Sequence, residues 1–274
     1  MYSMAISDLL TKLSTDITNA YNAIEAKGGT IPTNKNTENL VDAINSISGG
    51  PAPVDDNTLL LLHLDNDYGD SSNYERTPSS ATGLNYVAGK FNTYGLSVLN
   101  QSQGIISYST LFDLPTHDFT VDFWFNPNSF SASGSGNGRP IMGNFARNNW
   151  ECRWVIFVSQ YQGNTKKWGF NWNDGTNQFL VVSTTELTAN TWSHLAVTYE
   201  KSTRTMCLYI NGVKDKEQVA TFEMTGPGPS QPQTFSVGNW MSNYNYAPLG
   251  YIDEVRISDV IRYDGNFTPP TQPY

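Results

Sequence analysis

From Thr58 onward, apolar and polar positions alternate with a period of two. The stretch DFTVDFWFNP sets Phe119, Val121, Phe123 and Phe125 on one side and Thr120, Asp122, Trp124 and Asn126 on the other. That is the pattern of a strand with one face on a core. TLLLLHL reads as a fully apolar strand. WECRWVIFVS, KWGFNWN, QFLVVST, TWSHLAVTYE, TMCLYING, QTFSVGN and YIDEVRIS follow, with no long helix among them. About a dozen strands, with turn signals at NGV and NDGTNQ, predict two antiparallel sheets packed face to face, a mainly β protein.

Residues 1–48 carry a different period. Ile6, Leu10, Leu13, Ile17, Ala20 and Ile24 fall at alternating steps of four and three, a heptad seam that predicts a helix ending at Gly28-Gly29. ENLVDAINSI predicts a second, shorter helix with Leu40, Val41, Ile44 and Ile47 on one side. Two such helices bury too little to stand alone. Residues 1–48 therefore read as an anchor or oligomerisation module, which self-associates or docks on another protein or on the main domain. GGPAPVDDN, residues 49–57, reads as a linker, and 58–274 as the main domain.

Composition narrows the function. Charged residues make up 15 % of the 274 positions and aromatics 13 %, with 22 Gly and 14 Pro, as suits a turn-rich β protein. A net charge of −9 and the lack of a Lys/Arg cluster argue against nucleic acid as a partner. The start, MYSMAISDLLTKLSTDIT, has neither the basic nor the apolar region of a signal peptide, and LLLLHL is too short to span a bilayer. Neither secretion by that route nor a membrane partner is expected. Cys152 and Cys207 sit mid-strand and read as small core residues; a disulfide between neighbouring strands is not required.

No catalytic constellation is visible, and an enzyme is not expected. Asp253 and Glu254 are adjacent and would face opposite ways. Asp118 and Asp122 share a face but lie about 13 Å apart on an extended strand, whereas a retaining glycosidase needs carboxyls about 5–5.5 Å apart. His63, His117 and His194 are scattered, and the Gly-rich SASGSGNGR opens no helix. In GYIDEVRIS, strand parity puts Asp253 on the same face as Tyr251, Val255 and Ile257, so that carboxylate needs a partner. Glu254 and Arg256 would pair on the outer face. Trp150, Tyr161, Trp240, Tyr244 and Tyr246 fall in segments that read as loops rich in Asn and Ser. Flat aromatic rings beside amides suit sugar rings, and equally suit packing at the ends of a sandwich.

DFTVDFWFNP, TWSHLAVTYEKSTRTMCLYINGV and GYIDEVRIS resemble the laminin G-like jelly roll of the concanavalin A-like superfamily, over about residues 58–273. The resemblance implies a two-sheet jelly-roll sandwich. It also implies a calcium ion where the end of the first strand meets the last. The matching positions are Asp65, Asp67 and Asp70 in HLDNDYGDSSN, together with Asp253. Hard oxygen donors at that density suit Ca²⁺, and equally suit an acidic turn that hydrogen-bonds its own backbone. The segment AYNAIEAKGGTIPTNKNTENLVDAI is similar to a short helical module at the start of bacteriophage virion proteins. With RYDGNFTPPTQPY, it implies a virion structural protein assembled in the host cytoplasm and joined to other virion proteins through residues 1–48. A homo-oligomer, most often a trimer in phage fibres, is implied as well. On this basis the jelly roll is either an adhesin for a host cell-surface glycan or a decoration or head-fibre protein with no ligand.

Overall fold

The computed structural model describes residues 6–26, 31–40, 43, 54–91, 93–100, 104–109, 112, 114–130, 138–146, 152–158, 166–174, 176–224, 233–238 and 247–274. The chain divides into two compact units, residues 1–53 with 270–274 and residues 54–269. Among the described residues no helix is long and apolar enough to cross a membrane.

The first unit is built on helix α1, Ile6–Ala26. The heptad seam is divided between two environments. Ile24 and Tyr21 are buried with Ala43, and Ile17, Ile31 and Leu40 pack against them. Tyr21 also donates its hydroxyl to the Asn36 carbonyl at 2.7 Å. Ile6, Leu9, Leu10 and Leu13, about one to three turns before Ile17, are exposed by 78, 52, 62 and 53 %. Of the second expected helix, Leu40 and Ala43 are helical, and Ala43 N–H donates to Asn39 C=O. Glu38 and Asn39 form a turn, and the rest of it, with Gly28-Gly29, lies outside the described residues.

The second unit is the expected sandwich. Its strands are β1 Thr58–Leu62, β2 Ser80–Thr82, β3 Tyr86–Ala88, β4 Tyr94–Val98, β5 Ile105–Tyr108, β6 Phe119–Pro127, β7 Arg139–Ala146 and β8 Cys152–Val158. They continue with β9 Trp168–Asn173, β10 Gln178–Val182, β11 Ser193–Glu200, β12 Thr205–Ile210, β13 Val213–Val219, β14 Gln233–Gly238 and β15 Gly250–Ser258. An eight-stranded antiparallel sheet runs β13-β12-β11-β6-β15-β4-β3, with β1 also on β15. A seven-stranded sheet runs β10-β9-β8-β7-β14-β5-β2. Only the inner faces meet, so alternate residues of each strand build the core. Phe119, Val121, Phe123 and Phe125 lie there as the alternation requires. Trp154, Trp168 and Trp172 fill the same core, and Trp154 Nε1–H donates to the Phe112 carbonyl. Much of the aromatic content is thus core mass. Cys207 is a buried free thiol in β12 of the larger sheet, whereas Cys152 begins β8 of the smaller one.

Strand β15 holds the larger sheet together. One edge pairs with β6. The other is shared: Gly250–Ile252 pair with β4, and Val255–Ser258 pair with β1. Where the neighbour changes, the strand bulges. Its register to β6 shifts between Asp253 and Arg256, and Glu254 takes φ +50°. One extra residue reverses the side-chain parity.

Candidate functional site

The bulge corrects the parity expected for GYIDEVRIS. Ile252, Val255 and Ile257 enter the core, and Tyr251 does not. Asp253 faces away from the core and is nonetheless fully buried. Its Oδ2 accepts the Lys90 N–H at 2.7 Å, and Oδ1 has no hydrogen-bond partner among the described residues. Gly89 makes that approach possible, since a Cβ there would lie 2.6 Å from Asp253 Oδ2. Burial pushes the Asp253 carboxyl up to about 7; the Lys90 N–H opposes this, while the charges of Glu254 and Asp65 add to it.

Glu254 and Arg256 are not an exposed pair. Glu254 is fully buried and meets His63 Nδ1 at 3.0 Å. That contact raises the His63 pKa, with burial opposing it. Each adjacent carboxylate therefore holds a different neighbour at the shared edge of β15: Asp253 the turn before β4, Glu254 the residue after β1.

The four aspartates matched to a calcium site are not gathered into one donor set. Asp70 is buried, and its carboxylate accepts N–H groups from Leu61 (3.0 Å), Ser72 (2.9 Å) and Arg76 (2.9 Å). The Arg76 guanidinium stands 3.7 Å away. Those oxygens organise the acidic turn, which was the other reading of the same residues. Asp67 accepts from Gly69 N–H, and Asp65 from Tyr94 N–H. Among the described residues, no group of three or more His, Cys, Asp or Glu side chains is placed to hold a metal ion. These four carboxylates therefore do not by themselves form a calcium cage.

The aromatic residues assigned to a glycan site, Trp150, Tyr161, Trp240, Tyr244 and Tyr246, lie outside the described residues.

The structure instead draws attention to the outer face of the larger sheet. Here Thr120, Asp122 and Trp124 of β6 neighbour His194, Ala196 and Thr198 of β11, with Cys207 and Tyr209 of β12 beyond. The chain after β15 folds back across this face. Thr120 Oγ1–H donates to Val260 C=O, and Arg262 N–H donates to Thr120 Oγ1. Phe267 N–H donates to Gly212 C=O. Tyr263 and Phe267 stack at 3.6 Å and 7° over Ala196, Cys207 and Tyr209.

Beneath them Asp122 is fully buried. Arg256 donates to both its oxygens at 3.1 and 2.9 Å, and the Tyr263 hydroxyl donates at 2.8 Å. His194 Nε2 lies 3.5 Å away. Burial works to raise the Asp122 pKa, but the Arg256 charge and the bonds from His194 and Arg256 outweigh it, holding the carboxyl far below the usual range. Arg262 is clamped on Asp55 by two bonds, 3.0 and 2.7 Å. The end of the expected linker is therefore pinned to the jelly roll. The Asp55–Arg262 bond holds the Asp55 carboxyl down at about 2, against the opposing effect of burial.

Beside this seal the returning chain leaves a cavity of about 520 Å³. Its floor is Thr198, Cys207 and Tyr209, and one wall is Ile261 to Asp264. Glu200, Thr205, Lys214 and Glu217 complete it. Cys207, expected as a core residue, lies on this outer face instead, with Ala196 and Tyr209. Nothing in TWSHLAVTYE or TMCLYI signals that residues 261–264 cover this face.

The chain belongs to the concanavalin A-like lectin/glucanases superfamily, whose Laminin_G_3 model matches residues 100–263. Among solved structures it is similar to domain 4 of AbnA, a GH43 extracellular arabinanase from Geobacillus stearothermophilus, in complex with arabinotriose. The identity is 21 %, over 77 % of this chain and 94 % of that one, with a TM-score of 0.52. It is also similar to the botulinum neurotoxin serotype D binding domain, at 16 % identity over 75 % of this chain and 49 % of that one, TM-score 0.51. A binding domain of botulinum neurotoxin DC in complex with rat synaptotagmin II gives 15 % identity over 76 and 49 %, TM-score 0.54. The chain thus spans about half the length of those toxin domains. At these identities the likeness establishes the fold. No curated protein matches the chain.

Proposed function

We propose that this chain is a bacteriophage virion protein whose jelly roll binds a glycan on the host surface, with its N-terminal helices attaching it to the particle. The observation that carries the binding role is the cavity of about 520 Å³ on the outer face of the larger sheet. A sugar needs many hydrogen-bonding groups at fixed positions beside aromatic surface, in a cleft of a few hundred Å³. Here hydroxyls from Thr198 and Thr205, carboxylates from Glu200, Glu217 and Asp264 and the Lys214 amine converge beside Tyr209 and Tyr263. The arabinanase domain described in complex with arabinotriose supports the same role, as does a neurotoxin DC binding domain in complex with SialylT, TM-score 0.52.

Attachment is supported by the first unit. The exposed Ile6, Leu9, Leu10 and Leu13 form an apolar surface that further copies of the helix or another virion protein would cover. The heptad period favours self-association, and a trimer is our choice of state. The role is binding and attachment, without a catalytic step.

Screening the full chain against an array of host-wall glycans tests the binding role. Saturable binding to at least one glycan is the expected result. No binding, with attachment through residues 1–48 retained, would overturn it and leave the decoration or head-fibre role.

A further inference from the structure

The cavity under the returning chain has a charge pattern that restricts what it can hold. Its two cations are already matched. Lys214 Nζ meets Glu217 Oε2 at 3.0 Å, and Arg262 is held by Asp55. Its two other carboxylates are not. Glu200 accepts only the neutral hydroxyls of Ser202 and Thr203, at 3.2 and 2.7 Å, and forms no ion pair among the described residues. Asp264 has neither a hydrogen bond nor an ion pair among the described residues, and both carboxylates are exposed at the cavity edge. The floor offers nothing to offset them. Thr198 and Tyr209 are neutral, and burial pushes the Cys207 thiol up, away from thiolate. The remaining charge of the site is negative, in a chain whose net charge is already −9.

Resting on the glycan reading above, we infer that this cavity is a saccharide site selective for neutral or amine-bearing sugars and closed to acidic ones. The carboxylates and threonine hydroxyls accept hydrogen bonds from vicinal sugar hydroxyls, which a neutral ring supplies in pairs. A protonated amino group on the ring gains the attraction of Glu200 and Asp264. A sialic or uronic carboxylate, or a phosphate, must approach the same two charges with no unmatched cation to receive it. Partial exposure screens these terms without changing their sign.

The test uses the full chain and a panel of matched oligosaccharides: neutral hexose and N-acetylhexosamine oligomers, their N-deacetylated counterparts, and sialylated or uronic forms of the same cores. Neutral and N-deacetylated members should bind, with the acidic forms weaker by about tenfold or more at low salt. The isosteric pair E200Q/D264N should remove that discrimination. The pair E200K/D264K should invert it, weakening N-deacetylated ligands about tenfold and strengthening acidic ones by a similar factor. Both residues are exposed, and thermal melting confirms folding of each variant. If the natural chain binds glycans and neither variant changes the profile, the site lies elsewhere and the inference fails while the glycan reading stands. Preference of the natural chain for acidic members also overturns the inference alone. Binding to no panel member at all, acidic or neutral, overturns both.

Discussion

Asp122 concentrates the energetics of the outer face into one carboxylate. Replacing it by Ala leaves the Arg256 guanidinium beneath the Tyr263–Phe267 stack without its counter-charge, so urea unfolding should show a loss of about 3–5 kcal/mol. The folded-state pKa of Asp122 is depressed below its ordinary 3.8. Its contribution is therefore complete above that value and lost as pH falls from it toward the folded value. Natural protein should lose stability steeply below about pH 4, and Asp122→Asn should flatten that part of the curve. Asp70 gives a different prediction, since its oxygens hold three backbone N–H groups rather than an opposed charge alone. Asp70→Ala should cost about 2–3 kcal/mol by leaving buried donors unmatched, and by the same amount with calcium or with chelator. A loss that appears only with calcium present would return Asp70 to a metal site. Alternation in the sequence placed Asp122 on the face away from the core. It could not announce that this face is sealed, because the group that seals it, the Tyr263 hydroxyl, lies 141 positions further on.

Strands and helices were the most readable part of the chain, because each declares its own period. β2 to β5, β7 and β13 were not among the stretches read as strands, and the facing of GYIDEVRIS is misread for a reason external to it. β15 changes neighbour from β4 to β1 halfway along, and the one-residue bulge that absorbs the change follows from those partners, not from its own residues. The β12–β13 hairpin shows the converse. Asn211 and Gly212 take φ +51° and +77°, as the Asn-Gly turn signal requires. Gly212 has a second duty, for a Cβ there would strike the Phe267 carbonyl. Gly212→Ala should thus loosen the returning chain as well as strain the turn, seen as faster proteolytic cleavage within residues 259–269 and a loss of about 1–2 kcal/mol. α1 shows the limit of periodicity. Its heptad names one stripe, but the fold buries Ile17 and Ile24 inside the first unit and leaves Leu10 and Leu13 outside. Leu10→Asp with Leu13→Asp should convert an oligomer to monomer in sedimentation without unfolding that unit. A natural chain that is already monomeric would leave docking on a different protein as the use of that stripe.

The sandwich was legible in the sequence, and the cavity on its outer face was not. That cavity, beside residues 261–264, exists only because the returning chain covers the outer face. That chain and β15 also govern the order in which the molecule can be made. β15 stands between β6 on one edge and β4 and β1 on the other, so the eight-stranded sheet stays in three parts, β13-β12-β11-β6, β4-β3 and β1, until residue 258 has left the ribosome. Until then β1, β4 and β6 present unpaired edges, which are templates for pairing with another chain. Synthesis itself thus holds the jelly roll open until β15 has emerged. A ribosome-stalled chain ending before Gly250 should be captured by chaperones or aggregate, whereas one lengthened by a linker until Phe267 has emerged should close and resist protease.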